Sequence, residues 1–292
     1  MNIYVFSKQA EVYAPKRIVE EAVKRGHKAE NIFYKDISIE IGPKETSVFL
    51  KRKKLQIPDA AVMRVSGEGL KGPLFVYQRV GLIDYFPKNT IVANRNTYIK
   101  WPRLNKLEQH YALVRAGLPV IPSFSFSSEE SINWDKLKFP LIGKTTFGSS
   151  GLGVFKISGK RELLSLAREK GGINTFLYQR FLPTKRDYRV IVIGGKALPA
   201  AMQKTAQGKE FRTNFARGGM VERVDLTEEM KYLAENTAKI FDADYAGIDI
   251  MYDENGKAYI LEINRGAQFQ GFEESTGINV ASNIVDFLEV KK

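Results

Sequence analysis

Two alternating apolar runs, Tyr245–Glu254 and Lys257–Asn264, flank the dipeptide Asn255-Gly256, and no other feature of the 292-residue chain restricts its fold as tightly. Asn-Gly between such runs is a strong hairpin signal, because both residues tolerate the left-handed backbone that a two-residue type I′ turn needs. That turn sets a register in which Glu254 faces Lys257, Asp253 faces Ala258, Met251 faces Ile260 and Asp249 faces Glu262. Side chains alternate along a strand, so Asn264 joins Asp249 and Glu262 on one face, while Ile248, Ile250, Leu261 and Ile263 turn the other way into a core. Like charges directly opposite destabilise a sheet unless something neutralises them. Two carboxylates and an amide oxygen are hard donors suited to magnesium, with positions left over for phosphate oxygens. An exposed polar face with Glu262 paired to a lysine is the blander reading, and acidic residues at matched positions on apolar strands disfavour it.

Composition narrows the chemistry further. Without cysteine there is no disulfide, thiolate nucleophile or cysteine-ligated zinc, and His27 and His110 alone cannot build a histidine metal site. Both histidines read as structural or surface residues. A net charge of +12 favours an acidic partner, whether nucleotide phosphates, a polyanionic substrate or nucleic acid, and equally suits the ion-pair-rich surface of a thermophile. The densest basic run, Lys51-Arg52-Lys53-Lys54, lacks interleaved aromatics for base stacking and reads as a solvated loop. No apolar stretch reaches the roughly 18 residues of a membrane span, and MNIYVF runs straight into Ser7 and Lys8 without a signal-peptide pattern. A soluble, cytoplasmic protein is expected.

The chain is long enough for two or three lobes. Over the first hundred residues short strands (3–6, 60–65, IVAN from Ile91) alternate with helices near Pro15–Arg25 and after Pro73, the signature of a parallel α/β lobe. A helix over Leu104–Ala116 stops at Gly117. Strands at 123–126, 139–145, 153–157 and 176–181, with one helix at 160–170, then predict an antiparallel α+β lobe. A third lobe, again α+β, opens with a strand at 187–193, turns at Gly194-Gly195, carries a helix from Thr227 to Phe241 and ends in the Asn255-Gly256 hairpin. The expected divisions are 1–100, 101–182 and 183–292.

Two further clusters bear on function. Phe147-Gly148-Ser149-Ser150-Gly151-Leu152-Gly153 is a loop whose backbone N–H groups could approach phosphate oxygens, with Lys144 supplying charge; a plain hairpin loop is the alternative. It is neither a Walker A motif, whose upstream glycine falls on Lys138, nor a dinucleotide fingerprint, whose third glycine falls on Lys156. Lys204, Arg212, Asn214 and Arg217, with Arg189 on the preceding strand, form a dense set of donors suited to a carboxylate substrate and an anionic transition state.

In their order along the chain, Lys106, Lys144 before the glycine loop, YQRFL, RDYRVIVIGG, FRTNFARGG, GIDI and LEIN resemble the ATP-grasp ligases, and FRTN with ARGG resembles the RimK-type glutamate ligases. The likeness covers about residues 90–288. It implies an ATP-grasp fold of three lobes: a Rossmann-like pre-ATP-grasp lobe, then central and C-terminal lobes that clamp ATP. Lys106, Lys144 and the loop Gly148, Ser149, Ser150 and Gly151 would then meet phosphates, Gln179, Arg180, Phe181 and Leu182 the adenine, and Asp187 the ribose. Arg212 and Asn214 would lie at phosphates and substrate, Arg189, Arg212 and Arg217 would steady the reacting groups, and Asp249, Glu262 and Asn264 would hold magnesium, with manganese as the alternative ion. Two departures stand out: Gln179-Arg180 replaces the usual acidic residue, and Arg265–Gly271 replaces a Ser- and Pro-containing loop beside the acceptor.

The expected activity is an ATP-dependent carboxylate–amine ligase working through an acyl phosphate and adding glutamate to an acidic protein tail, carrier protein or glutamylated coenzyme. Relatives also imply a homo-oligomer. The alternatives are an ATP-grasp ligase for other small molecules, an ATP-binding module without ligase activity, disfavoured by the complete residue set, and a basic nucleic-acid binder, disfavoured by the absence of any recognised motif.

Overall fold

A computed structural model of the chain describes residues 1–8, 12–64, 73–146, 153–208, 213 and 219–292. The first strand, β1 (Asn2–Ser7), is buried at five of its six residues, as a strand covered on both faces must be. After it come α1 (Tyr13–Lys24), β2 (Lys28–Phe33), β3 (Ile37–Ile41), β4 (Thr46–Leu50), β5 (Lys53–Lys54), β6 (Ala60–Met63), α2 (Pro73–Tyr85), β7 (Ile91–Ala93) and α3 (Arg95–Lys100). The parallel sheet runs β2-β1-β6-β7, and β3-β4-β5 form a separate antiparallel sheet that the alternation of apolar segments had not foretold. Of the basic run, Lys51 and Arg52 make an exposed left-handed turn (φ 48° and 68°), but Lys53 and Lys54 are β5, not loop.

The next elements are α4 (Lys106–Arg115), β8 (Ser123–Phe124), β9 (Leu141–Thr145), β10 (Val154–Ile157), α5 (Lys160–Glu169) and β11 (Phe176–Arg180), with an antiparallel sheet ordered β10-β9-β11-β8. Asn105 starts α4 by accepting from Leu107 N and Glu108 N, while Glu108 reaches back to Asn105 N, a reciprocal cap that satisfies the free donors of the first turn. The last stretch holds β12 (Arg186–Ile193), β13 (Lys196–Ala197), β14 (Ala201–Thr205), β15 (Met220–Val224), α6 (Glu228–Ile240), β16 (Tyr245–Tyr252), β17 (Ala258–Asn264), α7 (Gln270–Thr276) and α8 (Val280–Val290). Its sheet runs β15-β14-β12-β16-β17, with β13 beside β12.

Three of the cores decide how the site is framed. Under one face of the large sheet, Val190, Ile248, Ile250, Ile260 and Ile263 pack on Leu233 and Ala234 of α6. On the other face, Ile191, Tyr245, Phe269 and Phe272 join Ile3, Val5 and Ile18 of the first lobe and Ile284 and Leu288 of α8 in one continuous core. Phe126, Leu163, Phe176 and Tyr178 belong to a third core drawn only from the central stretch. No described helix is long and apolar enough to cross a membrane.

The two hairpins differ in a way the sequence did not reveal. Gly194 and Gly195 have φ of 58° and 79°, and Ile193 pairs with Lys196, so the expected two-residue turn forms. At the second hairpin Gly256 has φ 77° but Asn255 is not left-handed, so the type I′ expectation is corrected to a three-residue loop, Glu254–Gly256. Asp253 holds that loop: its Oδ1 accepts from Asn255 N and Lys257 N, both at 3.0 Å. Pairing therefore begins one residue off, with Tyr252 opposite Ala258, Met251 opposite Tyr259 and Ile250 opposite Ile260, replacing the Met251–Ile260 and Asp253–Ala258 pairs read from sequence. A β-bulge then takes up Leu261 and restores Asp249 opposite Glu262. The bulge puts Ile260 in the core under α6, and Leu261, expected there, packs instead near Ile121, Leu182 and Tyr259.

Candidate active site

Neighbouring strands bring five charged side chains into one row. Lys204 on β14 lies opposite Asp187 on β12, Arg189 on β12 lies opposite Asp249 on β16, and Asp249 lies opposite Glu262 on β17. Each strand is about 4.8 Å from the next, so the row crosses the sheet, with opposite charges in contact from Lys204 to Asp249 and two carboxylates facing each other at Asp249 and Glu262. Arg189 grips Asp249 with both prongs, Nε donating to Oδ1 at 2.9 Å and Nη2 to Oδ2 at 2.7 Å. Lys204 Nζ sits 2.6 Å from Asp187 Oδ1 and 3.2 Å from Asp249 Oδ1, and the Thr213 hydroxyl donates to Asp187 Oδ2. Asn264 Nδ2 donates to Glu262 Oε1 at 3.1 Å and to Asp249 Oδ2 at 3.4 Å.

Burial sharpens these contacts. It opposes ionisation of Asp249, yet Arg189 and Lys204 outweigh it and hold that carboxyl below the usual range. Asp187 moves the other way, raised by burial and by Asp249 in spite of Lys204. The strand geometry leaves no slack: a side chain at Gly247 would put its Cβ 2.6 Å from Ala267 Cβ and 3.4 Å from Arg189 Cδ. Glycine at this position lets the Ala267 loop and Arg189 share one face of β16.

Two lysines face the row, one on α4, which packs through Leu113 under the large sheet, and one on β9 of the central lobe. Lys106, the first residue of α4, places Nζ 4.0 Å from Glu262 Oε2, and Lys106 N donates to Thr146 O just beyond β9. Burial pushes the Lys144 ammonium on β9 down to about 8 against the pull of Glu262, with Lys106 adding to the depression. Cations from two lobes converging on a carboxylate row make a site for a polyanion. At the strand-to-lobe crossing the four residues expected to line a base have different partners in this structure. Leu182 packs with Ile121 and Tyr259, and Lys156 lies 4.2 Å from the Phe181 ring centroid. Arg180 Nη2 turns towards Asp253 Oδ2 at 3.4 Å. Gln179 is buried against His110, whose imidazole burial and Lys144 hold down at about 4, hence neutral.

Gly148, Ser149, Ser150, Gly151, Arg212, Asn214 and Arg217 lie outside the described residues. Among the described residues no group of three or more His, Cys, Asp or Glu side chains could hold a metal. The oxygen set offered is Asp249, Glu262 and the Asn264 amide.

Residues 105–288 match the RimK-like ATP-grasp domain and residues 1–90 the RimK PreATP-grasp domain. The chain belongs to the RimK-like ATP-grasp family. A probable alpha-L-glutamate ligase of Thioalkalivibrio sulfidiphilus is 29% identical over 99% of this chain and 95% of its own length, and one of Serratia proteamaculans is 27% identical over 99% and 96%. In structure the chain is similar to the ATP-grasp ligase PsnB complexed with minimal precursor, Mg and ADP, with a TM-score of 0.72 and 20% identity over 99% of this chain and 97% of that one. A RimK domain protein ATP-grasp from Sphaerobacter thermophilus gives a TM-score of 0.69 at 16% identity over 99% and 100%. The fold and the ATP-dependent ligase expected from the motifs are borne out by these matches.

Within this RimK-like framework, two residues have contacts that the sequence does not reveal. Lys204 was one member of a basic cluster, whereas it bridges Asp187 and Asp249 at 4% exposure. Its place depends on β14 pairing back to β12 across the intervening β13 hairpin, which no local pattern announces. His110 was read as structural, and burial bears that out, but it also contacts Gln179 of the expected base-side segment.

Proposed function

We propose that the chain joins glutamate to an acidic acceptor, such as a protein tail, a carrier protein or a glutamylated coenzyme, by an amide or peptide bond. The row from Lys204 through Asp187, Arg189 and Asp249 to Glu262, faced by Lys106, carries this reading. Relatives called probable alpha-L-glutamate ligase favour glutamate, and the complexes of PsnB with precursor peptides favour a peptide-like acceptor. A cytoplasmic setting, a thermophile's ion-pair-rich surface and a homo-oligomer belong to the same reading, as do lobes at 1–100, 101–182 and 183–292.

A carboxylate oxygen attacks the γ-phosphorus of ATP, ADP leaves with the bridging oxygen, and an acyl phosphate results. The amine then attacks the acyl carbon, phosphate departs and a proton is released, leaving the amide. Lys106 and Lys144 neutralise phosphate oxygens, together with Gly148, Ser149, Ser150, Gly151, Arg212 and Asn214 assigned by the family resemblance. Gln179 to Leu182 border the adenine. Asp187, read as a ribose contact, has its carboxylate engaged by Lys204 and Thr213, so its role here is to position Lys204. Arg189 keeps Asp249 ionised, and with Arg212 and Arg217 it balances the developing oxyanion.

The donors fit magnesium, with manganese as the alternative: Asp249, Glu262 and Asn264 would hold it, since both carboxylates already converge on the Asn264 amide and a half-turn of that amide presents oxygen. When bound, the ion would supply positive charge to the transferring phosphoryl group.

The test is ADP release from MgATP scanned over amino acids and acidic acceptors including poly-glutamate, with mass spectrometry of products. Growth in steps of one glutamate is expected. Another mass increment keeps the ligase and discards glutamate. Glu262→Ala should abolish turnover while the circular dichroism spectrum stays unchanged, and near-normal turnover in that variant sinks the metal assignment.

A further inference from the structure

Arg64 follows β6 directly and is 2% exposed, yet its guanidinium has one side-chain hydrogen bond, Nη2 donating to Ala267 O at 2.8 Å. Among the described residues its Nε and Nη1 have no hydrogen-bond partner and no carboxylate pairs with it. The ring centroids of Tyr245 and Phe269 lie 5.4 and 5.6 Å from its Cζ. Arginine cannot shed its proton to escape burial, so an enclosed guanidinium with two idle donors is costly until an anion completes it. Contact with two rings offsets only part of that cost.

The position is what such a site requires. In the parallel order β2-β1-β6-β7, the chain builds from β1 to β2 on one side and then crosses to β6 and β7 on the other, so the strand order reverses between β1 and β6. Crevices at the carboxyl ends of strands flanking such a reversal are where open parallel sheets take ligands. Arg64 N donates to Phe6 O, which fixes the residue at that end. Across the seam, Tyr245, Gly247 and Asp249 share one face of β16: Arg64 lies against the first, Arg189 against the second, and Arg189 also grips the third. Tyr245 and Asp249 are four residues apart, about 13 Å along a strand. That face therefore leads from the phosphoryl-transfer row to Arg64 along a line of cations.

We propose that Arg64 binds a second, non-reacting carboxylate of a substrate whose reacting end lies at the Asp249–Glu262 row. This rests on the ligase reading above. The carboxylate belongs either to the incoming amino acid or to the acidic acceptor, and it takes the two guanidinium nitrogens that are idle in this structure.

Binding of L-glutamate, its α-amide, a tri-glutamate peptide and the peptide's C-terminal amide to the full chain with MgADP, read by calorimetry and thermal shift, tests this without turnover. An acid should bind wild type roughly 10- to 100-fold more tightly than its own amide, the size of a charge-assisted pair. Arg64→Gln should lose that acid preference, Arg64→Lys should keep part of it, and the Kd for MgADP should stay within about twofold in both. The probe that shows the effect, glutamate or peptide, identifies the source. Equal affinity of acid and amide, no binding by any acid, or full preference retained in Arg64→Gln overturns the proposal. If Arg64→Gln does not fold, Arg64→Lys decides: a reduced acid preference supports the proposal and an unchanged one overturns it. Absence of ADP release with every substrate pair refutes the ligase reading separately, since the binding arm does not depend on it.

Discussion

At the residue scale the site is a balance of charges that neither lobe holds alone. Lys144 shows this through its titration. Burial depresses its ammonium to about 8, so the protonated form that a phosphate needs is present below that pH and lost above it. KM for ATP should be flat on the acidic side and climb as pH rises through about 8. A bound phosphate restores charge pairing, so the fall in kcat should come at higher pH than the fall in kcat/KM. In Lys144→Arg the limb should vanish between roughly pH 7 and 9, because a guanidinium stays charged there; a wild-type-like profile in that variant removes Lys144 from the phosphate site. His110 gives no competing limb in that range, since burial keeps it neutral down to about 4.

At the element scale the β16–β17 hairpin and the loop after it set the geometry. Gly247→Ala forces its Cβ against Ala267 Cβ, an overpacking worth about 1–3 kcal/mol. Its Tm should fall, and Ala267→Gly should recover most of the loss in the double variant; additive losses would mean that the two positions do not meet. The turn offers a second check. Because Asp253 Oδ1 holds two backbone N–H groups while Asn255 stays out of the left-handed region, Asp253→Ala should lower Tm more than Asn255→Ala. Gly256→Ala, at φ 77°, should cost about 1 kcal/mol. A type I′ turn would make Asn255 as sensitive as Gly256.

At the scale of the whole molecule, the first lobe and the C-terminal sheet are joined in one core, from Ile3 and Ile18 through Ile191 to Phe272 and Leu288. The central lobe keeps its own core around Phe126, Phe176 and Tyr178. Native-state hydrogen exchange should therefore find amides of β9 and β11 opening together at lower free energy than those of β1, β12 and β16. Opening of all five strands in a single step would mean that the central lobe is not an independent unit. The arrangement puts Lys144 on the side that can open, and Lys106, Asp249 and Glu262 on the side of the C-terminal sheet, since α4 packs through Leu113 into the core under that sheet.

Local chemistry made part of this legible. The alternation in GIDI and LEIN, the Thr227 cap and the Gly194-Gly195 turn are short-range signals, and residues within a few positions enforce them. The facing of Asp249 and Glu262 was foreseen through a turn that does not form: the longer loop shifts the pairing by one residue and the bulge at Leu261 shifts it back. What no local rule contained were the long-range pairings. Lys204 reaches Asp187 only because β14 returns to β12, and Arg64 is enclosed only because the loop after β17 docks on β6, some two hundred residues away in sequence. The sequence by itself determined which elements form and which residue types the chemistry has available, since those follow from neighbours along the chain. Only the tertiary structure decided which charges are buried together, because a cation's partner and its distance from water depend on strands and lobes that meet after folding.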